Sequence, residues 1–285
     1  MRMTTKLRQD LREKGTVWFP GAYDAMSARM IEATGFDGVL MSGFGVAASL
    51  LGQPDVELYT MTENLMVLRN AAAILGIPMM ADADTGYGNA INVMRTVREF
   101  EAAGVASITI EDQISPKKCP ALSNSTPIVP IEEAVAKIRA AVAARRDPDL
   151  IIIARTDARD EEEILRRGLA YVQAGADLFK PLDTGIKSLA GFQRIREACK
   201  VPLALSLHGW LEDVPVAEVE AIGGIITVPL TPILVVAECL RKTLTEIKIT
   251  KSVHALPAAP MAEKAFKSFI GFDEIERLEK KFIVN

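Results

Sequence analysis

A closed (β/α)8 barrel with additional C-terminal helices is the fold class predicted by three observations. Short runs rich in Val, Ile and Leu recur along the chain, a segment of helical composition follows each run, and charged or polar residues gather directly after several of them. The strand candidates are 17–19, 38–41, 77–81, 107–110, 150–154, 178–180, 202–206 and 225–228. Helical composition fills 22–34, 61–75, 91–103, 131–145, 161–174, 189–199, 214–222 and 233–245. Ala33-Thr34-Gly35, Ala102-Ala103-Gly104 and Gln173-Ala174-Gly175 read as helix stops, because glycine takes the left-handed conformation that ends a helix. A doubly wound sheet is the structural alternative; chemistry-bearing residues at the ends of several different strands favour closure.

The barrel is expected over residues 1–250 and a helical extension over 251–285. In the tail, Ala265, Phe266, Phe269, Ile270, Ile275, Leu278 and Phe282 sit amid charges, an amphipathic pattern that must cover the barrel or pack on another subunit. The 285 residues, 49% of them apolar, can build one large core, and no Gly/Ser/Pro-rich linker divides them. Basic and acidic residues number 33 and 37, giving a net charge of -4 without a concentrated basic face, so nucleic acid is not an expected partner. No stretch has the length and flanks of a membrane span or the apolar core of a leader, and a soluble cytoplasmic protein is expected. Cys119, Cys199 and Cys239 are scattered, and His208 and His254 are the only histidines, which leaves no zinc or disulfide pattern. No nucleotide-binding loop calls for NAD, flavin or ATP.

Two acidic clusters follow strand candidates: Asp82-Ala83-Asp84-Thr85-Gly86-Tyr87-Gly88 and Glu111-Asp112-Gln113. Carboxylates gathered at neighbouring strand ends suit a hard divalent cation, foremost Mg2+ with Mn2+ as a substitute. Asp82 and Asp84, one residue apart, are expected on the same side of an extended backbone. The competing reading makes Asp82 and Glu111 caps of the helices that follow. Ser42-Gly43-Phe44-Gly45 offers a hydroxyl and backbone amides to a carboxylate, or forms a plain tight turn. Arg155 brings a fixed positive fork to a further strand end, for substrate oxygens or for a pair with Asp157.

Taken together, Ser42-Gly43, Asp82 to Gly88, Glu111-Asp112-Gln113, Lys117-Lys118-Cys119 and Ala154-Arg155-Thr156-Asp157 resemble the isocitrate lyase and phosphoenolpyruvate mutase superfamily, on the side of its methylisocitrate and dimethylmalate lyase-like members. The resemblance implies Mg2+ organised by Asp55, Asp82, Asp84 and Glu111, directly or through water. It implies a carboxylate held by Ser42 and Gly43, negative charge stabilised by Arg155, and Cys119 acting as an acid at a closing gate. It also implies a homotetramer built as a dimer of dimers, with the terminal helices exchanged between subunits. The expected reaction is cleavage of a C-C bond in a substituted 2-hydroxy dicarboxylate or tricarboxylate. Alternatives are decarboxylation of oxaloacetate, phosphonopyruvate or phosphoenolpyruvate chemistry, and a noncatalytic metabolite-binding barrel.

The chain departs from the lyase pattern in several places. Cys119 runs into Pro120-Ala121-Leu122 instead of Gly-His, Leu40 replaces a tyrosine, Leu182 stands where a carboxylate is usual, and Ser206 and Gly209 replace asparagine and glutamate. Phe44, Leu182 and Trp210 are therefore expected either to form a less polar specificity wall or to serve as ordinary packing over the barrel core, with Ser206 and His208 in contact with substrate. Lys180 or His208 is expected either to substitute for a missing acid-base group or to orient a substrate carboxylate.

Overall fold

The structure is a computed structural model whose described residues are 1–118, 126–254 and 256–283. The chain divides into two compact units, Met1–Ile233 and Leu234–Asn285. In the first, α1 (Met3–Lys14), β1 (Val17–Ala22), α2 (Ala25–Ala33) and β2 (Val39–Met41) lead into α3 (Gly43–Val46), a π-helical turn (Ala47–Leu51) and α4 (Met61–Ala72). There follow β3 (Met79–Asp82), α5 (Ala90–Ala103), β4 (Ser107–Glu111), α6 (Ile131–Ala144), β5 (Ile151–Thr156), α7 (Glu161–Gln173), β6 (Leu178–Pro181) and α8 (Leu189–Cys199). After β7 (Leu203–Ser206) come a 3-10 turn (Gly209–Asp213), α9 (Val216–Ile222) and β8 (Gly223–Val228). The strands pair in parallel in chain order and β8 returns to β1, closing the barrel that the sequence predicts. Helix α10 (Thr231–Thr250) spans the division, and α11 (Glu263–Ile270) and α12 (Phe272–Phe282) complete the second unit.

The longest element absent from the sequence expectation is α1. Helix α1 is mostly polar, yet its Leu7 is fully buried with the residues inside the barrel. The helix is tied down by Thr4, whose hydroxyl donates to Asp147 at 2.7 Å, and by Arg8, which meets Asp177 at 2.8 Å. These contacts lie on the loops entering β5 and β6, so α1 closes the N-terminal mouth.

Side chains on a strand alternate between its faces, so residues two apart share one face. Ile108, Ile110, Ile152, Ala154 and Leu205 join the core between sheet and helices. Inside the barrel, Val17, Phe19, Leu40, Met80, Ile153, Leu178, Ala204 and Ile225 form a second apolar cluster. Full burial of such a side chain is worth roughly 1.5–3 kcal/mol. Two residues further along the same inward register come Ser42, Asp82, Arg155, Lys180 and Ser206. Glu111 is paired in register with Arg155, and Arg155 with Lys180, which puts an acid and two cations side by side on the rim.

In the second unit Leu234, Val235, Leu240, Leu244, Phe272, Ile275 and Phe282 are exposed. Among the described residues, no helix is long and apolar enough to cross a membrane.

Candidate active site

A cavity of about 330 Å3 opens at the C-terminal ends of the strands. Ser42, Phe44, Asp55, Asp82, Arg155, Leu182, Ser206 and His208 all border it, together with Leu40, Lys117 and Lys180. Gly43, Asp84 and Glu111 are buried beside those residues. Cys119 lies outside the described residues. A separate hollow of about 390 Å3 between Glu57, Tyr59, Arg95 and Pro116 contains none of the inward strand-end residues.

The loop after β3 is built by left-handed backbone. Asp84, Gly86 and Tyr87 have φ of 48°, 89° and 59°, and a Cβ on Gly86 would stand 2.4 Å from Val93. Asp84 therefore does not reach the site by strand alternation, as the sequence suggested; a left-handed turn folds it inward until it is fully buried. Its amide donates to Asp82 Oδ1 at 3.1 Å, and its carboxylate Oδ2 accepts from Tyr59 at 2.7 Å and Tyr87 at 3.1 Å. Asn64 steadies this arrangement by donating to the Tyr87 hydroxyl and to the Asp82 carbonyl. Gly43 is required by proximity, since a Cβ there would meet the Tyr59 hydroxyl at 2.9 Å and Asp82 Oδ2 at 3.1 Å.

Neither Asp82 nor Glu111 caps a helix: α5 is capped by Asn89, and α6 begins after Pro130. The Lys117 ammonium instead lies among the acids, 2.6 Å from Asp84 Oδ1, 2.9 Å from Asp55 Oδ1 and 3.7 Å from Glu111 Oε1. These are charge contacts; none of the three oxygens accepts a well-directed hydrogen bond. Burial pushes Glu111 up to about 8 against the pull of Arg155 and Lys117, and pushes Asp84 up to about 6 with Asp82 and Asp55 adding repulsion. Burial also works against ionised Asp82, but Lys117, Arg155 and Lys180 outweigh it and hold its pKa below the usual value. Lys180 is brought down to about 8 by burial and by the neighbouring Arg155 charge.

These residues fit a hard divalent cation in donor chemistry: carboxylate oxygens, buried, with unsatisfied acceptor capacity. Among the described residues no three His, Cys, Asp or Glu side chains close into a direct cage. The fit is to a cation that keeps several waters, with one or two direct carboxylates and the others receiving hydrogen bonds from those waters.

Arg155 forms the expected pair with Asp157 and also reaches the cavity. Its guanidinium meets Glu111 Oε2 at 2.7 Å and forks onto Asp157 at 2.8 and 2.9 Å, while its edge borders the cavity. Asp112 does not belong with the cavity acids. One residue beyond Glu111, it faces outward and accepts from Thr156 at 2.6 Å, Tyr171 at 2.7 Å, Arg167 at 3.0 Å and the Asp157 amide at 3.0 Å. It braces the β5 end from behind.

The rest of the rim is mixed. Ser42 follows β2 as the cap of α3, accepting from the Gly45 amide at a long 3.4 Å and keeping its own proton for another partner. Leu40, Phe44 and Leu182 give the cavity an apolar side. Trp210 does not join it: its indole donates to the Ile186 carbonyl at 3.0 Å and its ring packs on Phe192. Ser206 is paired with the Thr227 hydroxyl at 3.0 Å, and His208 is exposed, 4.0 Å from Asp183. Tyr59, Asn64 and Glu57 are contributors that the sequence did not single out. Glu57 and Tyr59 come from the irregular segment before α4, which carries no period, and Asn64 is a polar residue on the buried side of α4.

Fold and rim define a barrel with an acid-rich, cation-lined chemical site at its C-terminal mouth. The phosphoenolpyruvate phosphomutase family profile matches residues 7–248, and the chain belongs to that family, as a catalytic member of the phosphoenolpyruvate mutase/isocitrate lyase superfamily. It is 42% identical over 293 residues to a 2,3-dimethylmalate lyase of Eubacterium barkeri, covering 99% of each chain. It is 37% identical over 266 residues to an oxaloacetate decarboxylase of Rhodopseudomonas palustris, covering 90% of this chain and 89% of that one. A solved phosphonopyruvate hydrolase, in complex with oxalate and Mg2+, superposes with a TM-score of 0.90 at 30% identity over 100% of both chains.

Proposed function

We propose that this protein is an Mg2+-dependent lyase that splits a methyl-substituted malate, of the 2,3-dimethylmalate type, into a 2-oxo acid and a carboxylic acid. The observation that carries this reading is the 42% identity to a 2,3-dimethylmalate lyase along the whole of both chains. The apolar side formed by Leu40, Phe44 and Leu182 supports it, since these side chains shelter methyl groups better than a charged wall would.

When bound, the cation supplies Lewis-acid polarisation of the substrate oxygens, held by Asp82 with Asp55, Asp84 and Glu111 beside it. Arg155 and Lys118 stand at the cavity to neutralise the substrate carboxylates, and the Ser42 hydroxyl to donate to one of them. Lys180, whose ammonium is made easier to deprotonate, is the side chain assigned to take the proton from the substrate hydroxyl. As the new carbonyl forms, the C-C bond breaks and its electron pair passes to the carbon beside the departing carboxylate. Cys119 is the proposed donor of the proton to that carbon. Assembly as a homotetramer is a further part of this reading, supported by the exposed apolar residues of the second unit.

A second reading, decarboxylation of oxaloacetate, is favoured by the 37% identity to the Rhodopseudomonas enzyme. Turnover of 2,3-dimethylmalate, methylisocitrate, oxaloacetate and phosphonopyruvate, measured with Mg2+ and with EDTA, separates the readings. The lyase reading expects stoichiometric pyruvate and propionate from 2,3-dimethylmalate, abolished by EDTA. Efficient loss of CO2 from oxaloacetate without cleavage of any substituted malate overturns it.

A further inference from the structure

Glu57 lies half-buried in the irregular segment between the π-helical turn and α4, with a φ of 58°. That left-handed conformation is unfavourable for a residue with a side chain, and it persists only where the surroundings hold it. Here two other loops do so. The Glu57 carboxylate accepts from the Thr85 hydroxyl at 2.6 Å, on the loop after β3, and from the Ser115 hydroxyl at 2.8 Å and the Lys117 amide at 3.0 Å, on the segment after β4. One oxygen serves Thr85 and the other serves Ser115 and Lys117. Hydrogen bonds to an ionised acceptor are roughly twice as strong as neutral ones.

These contacts close a circuit through the acid cluster. Thr85 follows Asp84 in the chain, Asp84 Oδ1 meets the Lys117 ammonium at 2.6 Å, and the Lys117 amide returns to Glu57. Thr85 is fully buried and its carbonyl accepts from Lys137 at 3.1 Å, so its hydroxyl and its carbonyl are both held. Tyr59, two residues after Glu57, donates to the other oxygen of Asp84 at 2.7 Å. Glu57 itself does not border the cavity. We propose that Glu57 is a positioning residue: it fixes Asp84 and Lys117 relative to each other, so that the divalent cation meets a preset arrangement instead of loops that shift independently. The inference rests on the cation reading of the proposed function and extends it to a side chain that acts through Asp84 without touching cation or substrate.

The test compares Glu57→Gly and Glu57→Gln with the wild type, all as the full chain. Glycine removes the carboxylate yet suits the left-handed backbone, so its effect is not one of strain. Residues that hold the ligands of a metal from behind typically matter by about 10–100-fold in metal affinity or activity. The glycine variant is therefore expected to bind Mn2+, followed by electron paramagnetic resonance, at least about tenfold more weakly, with kcat per folded molecule lowered as well. Glutamine keeps an oxygen for Ser115 and the Lys117 amide and should lose less of both. A merely structural Glu57 would shift the unfolding midpoint and leave Mn2+ affinity where it was. Wild-type Mn2+ affinity in a folded Glu57→Gly protein overturns the proposal, whatever its midpoint. Should that variant not fold, Glu57→Gln decides, and wild-type affinity there overturns the proposal. Failure of the wild type to bind Mn2+ at all is a different result, removing the cation reading itself and this inference with it.

Discussion

The two halves of the barrel interior are made by the same strands, and they differ by two residues of chain. Leu40, Met80, Ile153, Leu178 and Ala204 point into the apolar lower half; Ser42, Asp82, Arg155, Lys180 and Ser206 continue the same register into the upper half. Below, every side chain gains from losing water. Above, burial works against charge, and it leaves Glu111 and Lys180 with pKa values of about 8 that ordinary carboxyl and amino groups do not have. The contrast assigns stability to the lower layer and chemistry to the upper one, the division expected of this fold.

Arg155 tests that division hardest, because it belongs to the upper layer yet is also structural. Arg155→Met removes the partner of buried Glu111 and is expected to destabilise the protein by about 3–5 kcal/mol as well as abolish turnover. The cost should depend on pH. Glu111 has a folded pKa of about 8, above its ordinary 4.5, so the native state holds the extra proton and this group's contribution to stability falls as pH rises through that window. Loss of Arg155 raises the folded value further, and urea unfolding should show a larger penalty at pH 9 than at pH 6. A penalty independent of pH would mean that the pair is not electrostatic in origin.

A matched pair of substitutions on one strand sharpens the comparison. Met80→Ala is expected to cost about 2–5 kcal/mol of stability while turnover per folded molecule stays near normal. Asp82→Asn is expected to cost some stability, because Lys117, Arg155 and Lys180 favour the ionised carboxylate in the fold, while turnover falls on the order of 10²–10³-fold. Chemical denaturation and kcat measured on the same preparations decide, and equal effects of the two changes on both quantities would erase the distinction between the layers.

The sequence displayed one of these layers better than the other features of the site. Asp82, Glu111 and Arg155 could be found because each directly extends an apolar run, and the period of two then fixes their direction. Asp112 shows the limit of that logic: adjacent to Glu111 in sequence, it faces the helices, because one residue of displacement reverses the face of a strand. Asp84 reached the expected place by another route, a left-handed turn whose φ no alternation rule predicts. Lys117 and Tyr59 approach from long segments after β4 and β2, where nothing periodic announces a direction. Helix α1 escaped notice because only Leu7 is driven deep into the core, and one apolar residue does not make a stripe.

The central claim is that the acids at the barrel mouth organise a cation through which a small carboxylate is held. Calorimetric titration of oxalate into the wild-type protein, with Mg2+ and then with EDTA, tests it directly. The account predicts saturable one-to-one binding that disappears when the cation is removed. Binding of equal strength in EDTA would contradict it.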